Sequence, residues 1–432
     1  MTPRVQVAPR CGQSASPGFP INPPVPSIAC PPDLFRRPRL LAAAACLGVL
    51  LGCGGGDGGR TEEGGNRQAL AAAAVRSAPV VGPGELKSAT PIRTVELAAM
   101  ASVFATVPEL GVQAKYAVTT YRLTYVTKDG DGQDVVASAL AAVPVKPAGR
   151  PSPVMSWQHG TLFLDAQAPS NTANESEAAV LLASQGYIVV AADYVGYGAS
   201  KGRPHPYLLS APTAAAVVDL LTAAKTWRAT SGVVDNGQLF MAGYSEGGYA
   251  TVAALRSMET TGSPHLANLV GVAPGAGPYS VTATMDAALA IVRQRSELLR
   301  WVAWPGVLKN LSTTTRTLLR DALVHEILPD DADVTLTTSF IDLYLADDTA
   351  ALDALSNVHD WRPTWPVLLH HGRDDRTVAY SVATRTIATM RANGSTSASL
   401  TDCPVQPAGH LDCVVPYFSF LLSRAAGAAR DL

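Results

Sequence analysis

The sequence predicts an α/β fold built on a mostly parallel sheet. Three observations carry this expectation. Tyr187–Ala192 is a near-continuous apolar run, the pattern of a strand covered on both faces. Further short apolar runs alternate with helical patterns from Val154 to Met258, as βαβ units do. With 432 residues, 47% of them hydrophobic, the chain can bury a sizeable core.

The first 52 residues read as a leader and export signal. Phe35-Arg-Arg-Pro-Arg39 is a basic flank, and Arg36-Arg37 hints at a twin-arginine route. Leu40–Gly52 is an apolar stretch of 13 residues, shorter than the ~20 that span a bilayer. It ends in Leu50-Leu-Gly-Cys53, which resembles the lipobox of bacterial lipoproteins; that resemblance implies cleavage before Cys53 and a lipid anchor on it. Plain secretion with cleavage nearby is the alternative. Residues 1–34 are Pro-rich and fit no exported signal, so they read as an over-extended start or an unstructured leader. Of six cysteines, Cys11, Cys30 and Cys46 fall in this segment and Cys53 is the candidate anchor. Cys403 and Cys413 remain, and an even pair in an exported chain predicts one disulfide.

Residues 53–94, rich in Gly, Ala and Arg at their start, read as a flexible tether. A core is expected over 95–280 and 363–432. Ala117–Val126 and Asp134–Pro144 are β-branched and aromatic runs around the turn cluster Lys128–Gly132, predicting a β-hairpin. Then come a strand at Val154–Trp157, a helix at Glu175–Ser184, the strand Tyr187–Ala192 and a helix at Ala211–Thr226. The strand Gln238–Ala242 precedes a helix at Glu246–Met258, and Leu269–Ala273 is a further strand. Residues 281–362 break the alternation with a helical pattern and predict an inserted cap. Pro366–His370 and Val378–Arg391 resume as strand and helix.

Gly243-Tyr-Ser-Glu-Gly247 sits between strand and helix. Glycines permit a sharp turn there that would lift the Ser245 oxygen to the sheet edge, with the backbone N–H of Glu246 free to donate to an oxyanion. The same five-residue pattern recurs at Gly198-Ala-Ser-Lys-Gly202, where Arg203-Pro-His-Pro206 follows instead of a helix, so Ser245 is the candidate nucleophile. A serine needs a base. His410, in the small-residue loop Pro407–Leu411 bracketed by the two cysteines, is the candidate; a surface histidine at a helix start is the plainer reading. His370 and His371 end an apolar strand and are set aside. The orienting acid is Asp374 or Asp375, which leave the same strand; Asp412, two residues from His410, is a third possibility. Gln158-His-Gly-Thr161 follows a strand, and Thr161 or its neighbour Gly160 is a candidate for the second oxyanion N–H, against a plain tight turn.

Together Gln158–Thr161, Asp193–Gly198, His205–Leu208, Gly243–Gly247, His371–Val378 and Gly409–Leu411 resemble the α/β-hydrolases, most of all the secretory lipase group and its bacterial relatives. The resemblance runs from about Val112 to the C-terminus. It implies that the triad acid is Asp375, that Asp193 shapes the site floor, and that 281–362 is a helical cap. Glu246 departs from the small residue common in such lipases and is expected to narrow substrate choice.

The expected function is hydrolysis of carboxylic esters, as esterase or lipase, through an acyl-enzyme. A peptidase on the same scaffold and a non-catalytic binding lipoprotein are the alternatives. No metal or organic cofactor is expected, because no ligand cluster has metal spacing. The net charge of −2 and the lack of a basic block argue against nucleic acid. Trp301, Trp304, Trp361 and Trp365 would either line an acyl site or pack the cap onto the sheet. The expected location is exported, membrane-anchored through Cys53 or else secreted.

Overall fold

The computed structural model describes Val80–Leu432. The signal, Cys53 and most of the expected tether lie outside the described residues. Nine strands form one sheet: β1 (Leu86–Val95), β2 (Val118–Lys128), β3 (Asp134–Pro144), β4 (Ser152–Gln158), β5 (Ile188–Ala192), β6 (Asp235–Tyr244), β7 (Leu269–Gly275), β8 (Leu368–His371) and β9 (Ser399–Asp402). Their spatial order is β1-β2-β3-β5-β4-β6-β7-β8-β9. β1, β2 and β3 pair antiparallel, β3 meets β5 antiparallel, and every pairing from β5 to β9 is parallel. This is the α/β-hydrolase fold.

The helices are α1 (Leu97–Ala105), α2 (Pro169–Thr172), α3 (Ala178–Ala183), α4 (Ser210–Ser231), α5 (Glu246–Thr261), α6 (Val281–Arg295), α7 (Glu297–Val302), α8 (Thr313–Ile327), α9 (Ser339–Leu345), α10 (Thr349–Ser356), α11 (Tyr380–Ala392) and α12 (Val414–Ala426). The apolar runs in the central strands are explained by two cores. Val154, Ile188, Val190, Leu239 and Met241 pack under α4 and α5, while Met155, Val189, Phe240 and Ala242 pack under α3 and α12. Successive strand residues point to opposite faces, so a strand covered twice has no polar position to spare.

Two strands depart from expectation. The tether expected over 53–94 gives way at Leu86, where β1 begins. This edge strand is exposed along most of its length and carries Lys87, Pro91 and Arg93, so it shows no alternation to read. β9 is a four-residue strand, half-buried at every position. The helix expected from Glu175 starts at Ala178, with the Glu177 carboxylate accepting from the Ala179 N–H at 3.3 Å.

Between β7 and β8 the chain does not cross over once but forms α6–α10. This insertion is tied to the sheet's C-terminal edge. The His205 N–H donates to the Thr335 carbonyl at 2.7 Å, the Thr337 N–H donates to the His205 carbonyl at 2.8 Å, and His205 and Leu336 form a parallel bridge. No described helix is long and apolar enough to cross a membrane.

Candidate active site

Ser245 ends β6 and begins α5 with φ 59° and ψ −124°, a region a non-glycine residue occupies only under constraint. The motif glycines create that constraint through close approach. A Cβ on Gly243 would stand 2.3 Å from the Gly247 carbonyl oxygen, and one on Gly247 only 1.9 Å from the Gln158 carbonyl oxygen. The turn therefore packs on the end of β4, and the serine is pushed to the sheet's rim.

There Ser245 Oγ is 2.9 Å from His410 Nε2, and His410 Nδ1 is 2.6 Å from Asp375 Oδ2. Three side chains 165 and 35 residues apart meet in one line. Asp375 Oδ1 accepts the backbone N–H groups of Thr377 and Val378, both at 2.9 Å. Burial by itself would raise the Asp375 carboxyl, but hydrogen bonds from His371 and His410 outweigh it and hold it at about 2. The acid is thus ionised at neutral pH and fixes the proton of His410 on Nδ1, leaving Nε2 to face the serine hydroxyl.

The loop carrying His410 is held from several sides. Cys403 and Cys413 form a disulfide with Cα atoms 5.9 Å apart. The Asp374 N–H donates to the Ala408 carbonyl, and the Asp374 carboxylate accepts the Ala408 N–H at 2.8 Å. A Cβ on Gly372 would lie 2.1 Å from the Ala408 oxygen, so the two loops run almost in contact. The two neighbouring acids therefore differ in what they meet: Asp375 touches the imidazole, and Asp374 touches the backbone beside it. Asp412 packs against Gly409 instead.

His371 was set aside on sequence grounds, yet its Nε2 lies 3.1 Å from Asp375 Oδ2 and donates to the Val378 carbonyl at 2.8 Å. It is fully buried and meets the same Asp375 Oδ2 that His410 contacts. The available signal was the four-residue step from His371 to Asp375 across the strand end.

The Glu246 N–H is at the first position of α5, where a helix provides no internal partner, and the helix N-terminus favours negative charge. Gly160 lies against Ser245: its ideal Cβ would sit 3.5 Å from that of the serine. Thr161 follows, with Oγ1 3.3 Å from the Tyr207 hydroxyl. Glu246 was expected to narrow substrate choice, but its side chain is turned away from the surface. It is 1% exposed, with Oε1 2.7 Å from His205 Nε2, because the tight elbow turns it inward beneath the rim. Asp193 is buried and accepts from the Ser138 hydroxyl and from both the N–H and the hydroxyl of Ser170, which ties β3 and α2 beneath the 159–162 loop.

Ser200, in the second Gly-x-Ser-x-Gly, is buried and donates to the Tyr197 carbonyl at 2.9 Å. Of the four tryptophans in or beside residues 281–362, Trp301 and Trp304 are 77% and 52% exposed, with Trp304 stacked against the Arg293 guanidinium. Trp361 packs against the core and donates to Glu259 at 2.8 Å. No group of His, Cys, Asp or Glu that could hold a metal occurs among the described residues.

Comparison with solved structures finds a Legionella pneumophila protein named only as a candidate hydrolase, with TM-score 0.64 and 24% identity over 79% of this chain and 97% of that one. The rice cell wall degrading esterase LipA of Xanthomonas oryzae, in a ligand-bound form, gives TM-score 0.61 and 24% identity over 81% and 100%. Candida antarctica lipase A gives 0.51 and 18% over 82% and 84%. At these identities the likeness establishes the fold. Comparison with curated proteins found no match. The sequence model of the family Hydrolase_4, described as serine aminopeptidase, S33, matches residues 172–403, which include Ser245 and Asp375 and stop short of His410. That match covers more than half of the chain, and with the sheet and elbow described above it places this protein among the α/β-hydrolases, in the Hydrolase_4 family.

Proposed function

We propose that this chain hydrolyses carboxylic esters through an acyl-enzyme on Ser245. The observation that carries the reading is the unbroken contact chain from Ser245 Oγ through His410 to Asp375. His410 Nε2 takes the hydroxyl proton as Oγ attacks the ester carbonyl. The tetrahedral oxyanion is met by the N–H of Glu246 and by a second N–H from Gly160 or Thr161. His410 then gives its proton to the departing alkoxide. A water molecule, deprotonated by the same nitrogen, attacks the acyl group and frees Ser245 with release of the carboxylic acid. Asp375 stays ionised and balances the imidazolium in each half.

The esterase and the lipase of the same fold favour an ester as substrate, while the family's description favours a peptide. A fluorophosphonate probe and two substrates decide between them. Labelling that disappears in Ser245→Ala, with p-nitrophenyl butyrate cleaved far faster than a fluorogenic dipeptide amide, is the expected result. Faster amide cleavage would make it a peptidase, and no labelling would make it a binding protein.

We further propose that residues 281–362 act as a substrate-covering cap, and that the protein is exported and anchored through a lipid on Cys53. The Leu50–Cys53 motif and the disulfide support export. Incorporation of a palmitate analogue, lost in Cys53→Ser, is the expected result; an unlipidated mature N-terminus would remove the anchor.

A further inference from the structure

His205 lies outside the Ser245–His410–Asp375 chain, yet it meets Glu246 directly and three tyrosines that reach the 159–162 loop. Its Nδ1 is 2.8 Å from the Val195 carbonyl and must donate to it. Its Nε2 faces Glu246 Oε1 at 2.7 Å, so one proton is held between these two atoms and the bond exists whichever of them carries it. Both side chains are 1% exposed. The second carboxylate oxygen, Glu246 Oε2, is buried and has no partner, so among the described residues His205 is the group that fixes this side chain. Glu246 is the residue whose backbone N–H begins α5.

Around the imidazole stand three tyrosines. Tyr194 is stacked at 5.8 Å and 14°, Tyr197 stands edge-on at 5.2 Å, and Tyr207 is tilted at 6.1 Å. All three hydroxyls reach the opposite arm. Tyr194 donates to the His159 carbonyl at 3.3 Å, Tyr197 donates to the Leu162 carbonyl at 2.7 Å, and Tyr207 meets Thr161 Oγ1 at 3.3 Å. One imidazole thus sets both the elbow residue that follows the nucleophile and the ring cluster that carries the 159–162 loop. A Cβ on Gly196 would stand 2.9 Å from that of His205, so the glycine lets the two backbones run this close.

We propose that His205 is a positioning residue: through Glu246 and the Tyr194–Tyr197–Tyr207 cluster it holds the two backbone donors of the oxyanion hole in register with Ser245. The inference rests on the ester-hydrolase reading above. Oxyanion donors act by being placed in advance at the atom where charge develops, and small displacements weaken them steeply.

The test is steady-state kinetics with p-nitrophenyl butyrate on the full protein, with melting temperature measured in parallel. His205→Leu is expected to lower kcat about 10²-fold with KM little changed, the pattern of an interaction made only in the transition state. His205→Gln, whose amide can still donate to Glu246, should keep kcat within about tenfold of the parent. The double variant His205→Leu/Glu246→Leu leaves no unpaired buried charge and should recover melting temperature relative to His205→Leu. Its kcat should stay low. Recovery of turnover together with stability would reduce the pair to a packing element and overturn the proposal, as would an unchanged kcat in His205→Leu or equal losses in the Leu and Gln variants. A parent protein without Ser245-dependent ester hydrolysis would sink the ester reading and this proposal with it, whereas normal parent activity beside unaffected variants sinks this proposal alone.

Discussion

The Tyr244 hydroxyl donates to the His410 carbonyl at 2.7 Å, with the two rings 5.3 Å apart. The residue before Ser245 thus grips the backbone of the histidine that faces the serine. Tyr244→Phe keeps the ring and removes the bond. It should cost about 1 kcal/mol of stability, and turnover should fall more than tenfold because the imidazole loses its tether. Thermal unfolding and kcat on the same preparation check this; a stability loss with full turnover would show that the tether is not needed.

Asp374 and Asp375 invite a paired substitution. Asp375→Asn removes the acceptor that holds the His410 tautomer and should lower kcat about 10⁴-fold. Asp374→Asn keeps an oxygen that can accept the Ala408 N–H and should cost far less, with most of its effect in stability. Equal losses in the two variants would contradict their separate contacts.

Reducing the Cys403–Cys413 bond opens a loop of sequence separation 10, worth about 2–3 kcal/mol by chain entropy. The opened loop is the one bearing His410, so turnover should drop by a larger factor than global stability suggests. Activity after reduction, with mass mapping to prove both thiols free, tests this; unchanged turnover would exclude it.

His370 gives a pH signature. Its imidazole is lowered from 6.5 to about 4, by burial first and by the neighbouring His371 second, with Asp402 opposing them. The folded protein therefore holds it neutral where the unfolded chain takes up a proton. The stabilisation is complete above pH 6.5 and is lost as pH falls from 6.5 to about 4, by about 3 kcal/mol. His370→Phe, packed among Tyr417 and Phe420, should flatten this part of the stability–pH curve. Part of the slope should remain, because burial also lowers His265 to about 4. A slope unchanged by the substitution would rule out His370 as its source.

Much of this architecture was legible because burial leaves local marks. Tyr187–Ala192 and Leu239–Ala242 are apolar at every position facing a core, and Ser245 was separated from Ser200 by its flanking strand and helix alone. What escaped reading depends on contacts between distant segments, or on no burial at all. β1 is exposed, so nothing in Leu86–Val95 alternates. The choice between Asp374 and Asp375 rests on which carboxylate a loop some 35 residues later presents to. His205 and Glu246 lie 41 residues apart, and neither has a local feature that marks the other as its partner.

The backbone bridge between His205 and Leu336 has a practical consequence for anyone re-engineering this scaffold. Swapping the 281–362 segment for another protein's equivalent would remove the backbone bridge from His205, the residue proposed to steady the pocket. A chimera would have to bring its own replacement for Thr335–Thr337, or lose speed while gaining new tastes.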